Sequence, residues 1–137
     1  MNSLEGECLC GSVRYEANAD APVAMHCYCR DCQRATGSAF ATIVAVPRER
    51  FEVQGPVASY AKTGESGRRV TRSFCRDCGS QLFSEAETAP GVVFLKAGTL
   101  NDSAGLEPQL TIWTRSRAAW AELKAGTAEF EGNPETG

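Results

Sequence analysis

The chain has 137 residues, a formal net charge of −3 and an apolar content of 42%, so we expect one domain over residues 1–137 with its own hydrophobic core. The acidic balance excludes a broad basic surface for nucleic acid. The sequence contains no run of about 18 apolar residues, so we expect no membrane span. The N-terminus also lacks a charged and then apolar signal region, so we expect a cytoplasmic protein.

Alternating and short apolar runs predict an all-β domain of many short strands. A turn at residues 10–12 separates the first two strands, and residues 29–37 form a turn or one short helix. Residues 62–69 form a loop, residues 116–125 form a weak helix, and the tail from about residue 127 is loosely packed. The predicted strands lie within residues 4–17 (two strands), 22–27, 39–46, 51–60 (two strands), 70–74, 81–83, 92–95 and 110–113.

Seven cysteines fall into three groups along the chain. Disulfides are disfavoured in the cytoplasm, so clustered cysteines are typical of metal sites or reactive thiols. Four thiolates would close one tetrahedral zinc site, and three would hold a second zinc with one position open. The groups are the pair Cys8 and Cys10, the trio Cys27, Cys29 and Cys32, and the pair Cys75 and Cys78.

The two pairs have spacings that suit one shared metal ion. Cys75 and Cys78 are separated by two residues and followed by a glycine, which is typical of a zinc knuckle. Cys8 and Cys10 alternate along a strand, so both thiols face the same side. Their joint site would pin the first hairpin to the middle of the domain. Spacing alone also permits a zinc ribbon made of Cys29, Cys32, Cys75 and Cys78.

The ordered set of motifs resembles the glutathione-dependent formaldehyde-activating enzyme family, also known as the centromere-protein-V-like domain. The resemblance covers nearly the whole chain, and its specificity comes from the order of the segments rather than from any single one. The matching segments are CLCGSVRY (8–15), HCYCRDCQRATGSAF (26–40), FCRDCGSQL (74–82), GTLND (98–102) and IWTRSRAAW (112–120).

The resemblance implies an Mss4-like all-β fold of short antiparallel strands with two zinc ions per chain. It implies a structural zinc on Cys8, Cys10, Cys75 and Cys78, and a functional zinc on Cys27, Cys29 and Cys32. The activity it implies is the addition of glutathione to formaldehyde, which is classed as a carbon–sulfur lyase reaction. The implied partners are therefore a small thiol such as glutathione and a small aldehyde.

A mechanism follows as a hypothesis from the chemistry of the cysteine trio. Three thiolates and Zn²⁺ carry a net charge of −1, which favours a fourth sulfur ligand over activation of water. A substrate thiol would ionise in the open position and attack the aldehyde carbon. We assign Cys27, Cys29 and Cys32 to this site, with His26 as a candidate proton donor, although a hydrogen-bonded core histidine is the commoner case.

Other polar and aromatic side chains are weaker candidates for substrate contacts. An arginine could bind glutathione carboxylates through its planar guanidinium, although a solvated surface position is the commoner case for each one. Two other functions also suit the sequence, namely a non-catalytic zinc-stabilised binding module and a thiol redox sensor built on the trio. The candidate side chains are Arg30, Arg34, Arg76, Arg115, Arg117, Trp113 and Trp120.

Overall fold

The computed structural model describes residues 2–134, and its predominance of strands confirms the all-β prediction. The one α-helix among these residues, α1, runs from Arg30–Thr36 and ends at Gly37 in the left-handed conformation, as predicted. The strands are β1 (Asn2–Glu7), β2 (Arg14–Ala19), β3 (Val23–Cys27), β4 (Ala41–Pro47), β5 (Phe51–Gln54), β6 (Val57–Thr63), β7 (Arg69–Cys75), β8 (Gln81–Ala86), β9 (Val92–Lys96), β10 (Leu110–Ile112) and β11 (Ala128–Glu129).

The strands form a small and a large sheet. The small sheet has the order β1-β2-β5 and is antiparallel throughout. The large sheet has the order β11-β10-β3-β4-β9-β8-β7-β6. Most of its pairs are antiparallel, but β10 runs parallel to both β3 and β11. The chain returns with β10 to one side of the sheet, next to β3, and this brings its last described segments beside the end of β3.

The two faces of the large sheet have different surroundings. Side chains alternate along a strand, so neighbouring residues on β4 belong to different hydrophobic clusters. Val44 and Val46 pack in a cluster that also draws residues from the small sheet, which makes this the main core. Ile43 packs on the opposite face, in a second cluster that contains all three cysteines of the trio. The trio therefore sits on the face that the small sheet does not cover.

Close approach of β1 to the 3₁₀ turn after β9 (Ala97–Thr99) depends on the absence of a side chain at Gly6. A Cβ atom built there would lie 2.6 Å from the carbonyl oxygen of Thr99 and would also clash with the Tyr15 ring. The Tyr15 and Thr99 hydroxyls are joined by a 2.7 Å hydrogen bond. Neither residue can move away from an added Cβ atom without breaking this bond.

We expect Gly6→Ala to lower the free energy of unfolding by ~2 kcal/mol, because overpacking forces a backbone shift at this contact. Urea denaturation measures the change. Gly98→Ala is the matched control, since a Cβ there meets no atom within 4 Å, and it should leave the midpoint almost unchanged. Equal midpoints for the two variants would contradict the prediction.

The helix predicted over residues 116–125 is wrong. The segment opens with a single 3₁₀ turn, Thr114–Ser116, and continues as irregular chain. Tertiary hydrogen bonds replace the helical ones, because Gln33 Nε2 donates to the Ser116 carbonyl at 3.0 Å and the Tyr28 hydroxyl donates to the Glu122 carbonyl at 2.8 Å. These bonds favour an irregular path over the modest helix propensity of the segment.

The tail expected to be loose makes specific contacts over residues 128–133. Strand β11 pairs with β10, and Phe130 packs against the cluster around the cysteine trio. The Trp113 indole donates a 2.8 Å hydrogen bond to Asn133 Oδ1. Within residues 2–134, no helix has the length and apolar character that a membrane crossing requires.

Candidate metal centres

Four cysteines from two distant turns meet in the first candidate metal centre. The Sγ atoms of Cys8, Cys10, Cys75 and Cys78 all lie within 4.8 Å of one another. The first pair belongs to the turn between β1 and β2, and the second to the turn between β7 and β8. The zinc ribbon that spacing alone permitted is therefore not the arrangement found.

Both turns have a left-handed glycine at the same position. Gly11 and Gly79 follow the second cysteine of their pairs and have φ angles of 80° and 81°. This left-handed conformation favours glycine and reverses the chain tightly. Their N–H groups donate to the carbonyl oxygens of Cys8 and Cys75, at 3.1 and 2.8 Å. Each turn therefore holds its two sulfurs on one side before any metal binds.

The sulfur distances fit a tetrahedral zinc ion. Cys10 Sγ lies 3.6 Å from Cys8 Sγ and 3.9 Å from Cys75 Sγ. A Zn–S bond of about 2.3 Å gives an edge of about 3.8 Å in a regular tetrahedron. A hydrogen bond with the Ser80 hydroxyl, 3.2 Å away, is the largest influence that lowers the pKa of Cys78 to about 5 and so favours its thiolate. Four soft sulfur donors in this geometry suit zinc.

The second candidate centre lies where β3 ends and α1 begins. The Sγ atoms of Cys27, Cys29 and Cys32 lie within 4.8 Å of one another, and all three residues are buried. Cys27 is the last residue of β3, and Cys29 is the N-cap of α1. Cys29 Sγ accepts a 3.2 Å hydrogen bond from the Cys32 backbone N–H, as capping side chains do. Among residues 2–134, no histidine, aspartate, glutamate or further cysteine completes this set.

Residues that the sequence did not suggest hold the trio loop in place. Gln33 Nε2 donates to the Tyr28 carbonyl at 2.8 Å, in addition to its bond with the Ser116 carbonyl. Glu65, at the tip of the β6–β7 hairpin, accepts hydrogen bonds from the Arg30 backbone N–H and the Ser116 hydroxyl, both at 2.8 Å. These bonds tie the loop that carries the trio to Ser116 and to the β6–β7 hairpin.

Two cations that the sequence did not single out also lie beside the trio. Arg72 Nη2 is 3.8 Å from Cys32 Sγ, and Lys96 is buried on a neighbouring strand. Hydrogen bonds from the Cys27 and Cys29 thiols hold the pKa of Cys32 far below its usual range, and both cations act in the same direction. Only the sheet register could have revealed these cations, because both are far from the trio in sequence.

The structure separates His26 from the cysteine trio. Its side chain points to the face of the large sheet opposite Cys27, and Nδ1 lies 2.9 Å from Thr42 Oγ1. The ring packs edge-on against Phe40 at 4.4 Å, and burial lowers the pKa of His26. This geometry favours a supporting role in the core, and the catalytic role stays a prediction.

We expect His26→Gln to lower the free energy of unfolding by ~1 kcal/mol, since it disturbs one side-chain hydrogen bond and one ring contact. Turnover of the zinc-loaded protein should change by less than ~3-fold. A residue that makes no contact in the transition state can be replaced with little change in the activation free energy. Thr42→Val removes the same hydrogen bond and serves as the matched control. If His26→Gln alone lowers kcat by ~100-fold, proton transfer by His26 is restored as the explanation.

The arginine and tryptophan candidates are scattered over different surroundings. Arg76 lies in the turn of the other cysteine cluster, and Arg34 is exposed on α1. The Arg115 guanidinium stacks on Trp113 at 4.8 Å, so it already has a partner. Trp113 is buried, whereas Trp120 is 74% exposed. The Arg30 guanidinium donates to Gln33 Oε1 at 2.6 Å, and the contact with a sulfur of the trio comes from Arg72 instead.

Comparison with known proteins gives one family. A family model described as glutathione-dependent formaldehyde-activating enzyme matches residues 3–116. A Penicillium rubens protein, provisionally named as such an enzyme, is 30% identical over 107 residues, which are 74% of this chain and 56% of that protein. An uncharacterised lyase of Schizosaccharomyces pombe is 26% identical over 97 residues, which are 71% of this chain and 68% of the lyase. The chain thus spans little more than half of its Penicillium relative.

A solved structure from another organism shares the fold. It is the crystal structure of a Rhodobacter sphaeroides protein, which superposes with a TM-score of 0.58 at 21% sequence identity. The match covers 92% of this chain and 98% of the other. At this identity, the likeness shows a common arrangement of strands.

Proposed function

Because this chain belongs to the glutathione-dependent formaldehyde-activating enzyme family, we propose that it is a zinc-dependent carbon–sulfur lyase. Its substrate would be the adduct of a small thiol, such as glutathione, with a small aldehyde. The observation that carries the proposal is the cysteine trio, which offers three sulfurs and has no fourth protein ligand among the described residues. A three-ligand set is typical of a zinc site that accepts a substrate.

The two cysteine clusters would have different tasks. The four sulfurs of the first cluster would enclose a structural zinc, and Cys27, Cys29 and Cys32 would hold the functional one. A zinc ion bound to the trio would act as a Lewis acid that lowers the pKa of a substrate thiol. The buried side chains Ile112 and Trp113 pack against the trio and would exclude water from that side.

The reaction forms one carbon–sulfur bond in the synthetic direction and breaks the same bond in the reverse direction. In the synthetic direction, the substrate sulfur attacks the carbonyl carbon of the aldehyde, and the electron pair of the C=O bond moves to oxygen. The proton lost by the thiol balances the one gained by the alkoxide. The reverse step returns the free thiol and the aldehyde. His26 is a candidate proton donor for this step, and the His26→Gln variant tests that role.

The proposal is tested by zinc analysis and by calorimetry with glutathione. We expect two zinc ions per chain and binding of glutathione with release of one proton, because a thiol that binds as thiolate must lose its proton. S-methylglutathione is the matched control, since its sulfur cannot ionise, and it should not bind. Release of glutathione from its formaldehyde adduct then measures turnover.

Other outcomes would favour the alternative functions. One zinc per chain with reactive thiols in the trio would favour a redox sensor. Two zinc ions without any thiol binding would favour a zinc-stabilised binding module. The free thiols of the trio suit a reducing compartment, and we expect the protein in the cytoplasm.

A further inference from the structure

Register places Arg72 and Lys96 on the same face of the large sheet as the cysteine trio. Lys96 is paired with Ile43 across β9 and β4, and Arg72 shares a cross-strand row with Phe94 through β8. Directly paired residues project to the same face of a sheet. Both Ile43 and Phe94 pack in the hydrophobic cluster that contains the trio. The two cations therefore reach the site from strands that are remote from it in sequence.

Not every hydrogen-bond donor of the Arg72 guanidinium has a partner among the described residues. Its Nη2 contacts Cys32 Sγ at 3.8 Å, but its Nε is buried and has no hydrogen-bond partner within residues 2–134. A buried donor without a partner costs ~1–3 kcal/mol, so such a group is a candidate for a ligand contact. Asp31, the carboxylate next to Cys32 in the sequence, is already paired with Lys62 at 2.7 Å. It therefore does not neutralise Arg72.

The charges at the site match best when the open position holds an anion. Three thiolates and Zn²⁺ carry one net negative charge, and an anionic fourth ligand would bring the total to two. An arginine is always protonated, so Arg72 alone would offset the charge when a neutral water fills the open position. Lys96 is only 7% exposed, so its ammonium needs a counterion, which an anionic fourth ligand would supply.

We propose that Arg72, with Lys96 beside it, is a positioning residue that makes the trio site select its fourth ligand as a thiolate. The inference rests on the proposed function and deepens it, because it assigns the charge preference of that site to two residues outside the ligand set. The cations act on the sulfur of the incoming thiol. Recognition of the rest of the substrate falls to other parts of the surface.

This assignment differs from the simpler one in which Arg72 and Lys96 bind the carboxylates of glutathione. The two alternatives are separated by 2-mercaptoethanol, a thiol that has no carboxylate. If the cations act on sulfur, their loss weakens binding of both thiols. If they bind carboxylates, their loss weakens binding of glutathione alone.

The experiment is calorimetric titration of the zinc-loaded protein and of its Arg72→Gln and Lys96→Gln variants with both thiols. We expect each variant to bind 2-mercaptoethanol and glutathione at least ~10-fold more weakly, since a nearby buried charge is lost. The conservative variants Arg72→Lys and Lys96→Arg keep the charge and should recover most of the affinity. Arg68→Gln is the matched control, because it removes an exposed charge from the tip of the same hairpin.

Zinc content and thermal unfolding of each variant separate a charge effect from a folding defect. If the glutamine variants fail to fold, the lysine and arginine variants still decide the matter, because the proposal requires them to bind both thiols. Wild-type affinity of Arg72→Gln for 2-mercaptoethanol would overturn the inference, as would a loss limited to glutathione. If wild type binds 2-mercaptoethanol but not glutathione, the substrate proposal fails, while weaker binding by the variants still supports the inference.

Discussion

Replacing Cys75 by serine is expected to unfold the domain or to lower its free energy of unfolding by at least ~5 kcal/mol. Cys75 is fully buried at the end of β7, and its sulfur lies 3.9 Å from Cys10 Sγ in the opposite turn. The four-sulfur cluster joins two turns that are 65 residues apart in sequence. Loss of the Cys75 sulfur would leave three sulfurs without a complete site. The effect is large, because the free energy of unfolding of a single domain rarely exceeds ~15 kcal/mol.

Circular dichroism during thermal unfolding, together with zinc analysis, measures this effect. Chelation of zinc from the unmodified protein should produce the same loss of structure, because metal binding and folding are coupled at such a site. Ser12→Ala is a control in the same cluster, since it removes a hydroxyl 3.3 Å from Cys75 Sγ but none of the four sulfurs. A Cys75→Ser protein that melts like wild type would show that the cluster contributes little to the fold.

Replacing Cys27 by serine should abolish thiol binding and lower turnover by at least ~100-fold. Changes at residues that only support a metal ligand already cost about 10–100-fold, and loss of a ligand removes more. The fold should survive, because β3 remains paired with both β4 and β10 and the four-sulfur cluster lies elsewhere. We expect one zinc per chain in this variant, a modest fall in melting temperature and no heat on titration with glutathione.

The contrast between Cys75→Ser and Cys27→Ser is the sharpest check on the division between a structural and a functional cluster. Each variant removes one buried sulfur, so the two are matched in the chemistry of the change. If both unfold the protein equally, both clusters are structural. If Cys27→Ser retains thiol binding and turnover, the trio is not the site of the reaction.

The strand pattern was predictable because its signals are local. Apolar alternation and turn glycines indicated strands near most of their actual positions, and Gly37 ended the helix as expected. The segment over residues 116–125 misled the prediction, since its helix propensity was overridden by bonds from Gln33 and Tyr28. Those two partners lie about 80 to 95 residues away, so no local pattern could reveal them.

The sequence by itself determined which residues could hold metal, since ligand spacing and the glycine after each pair are short-range features. It left open which cysteines share an ion, and only the resemblance to a family suggested the division that the structure has. The tertiary structure decided that division and the approach of Arg72 and Lys96 to the trio. The physical reason is sheet register, which brings side chains from remote strands together at distances that a sequence cannot encode locally.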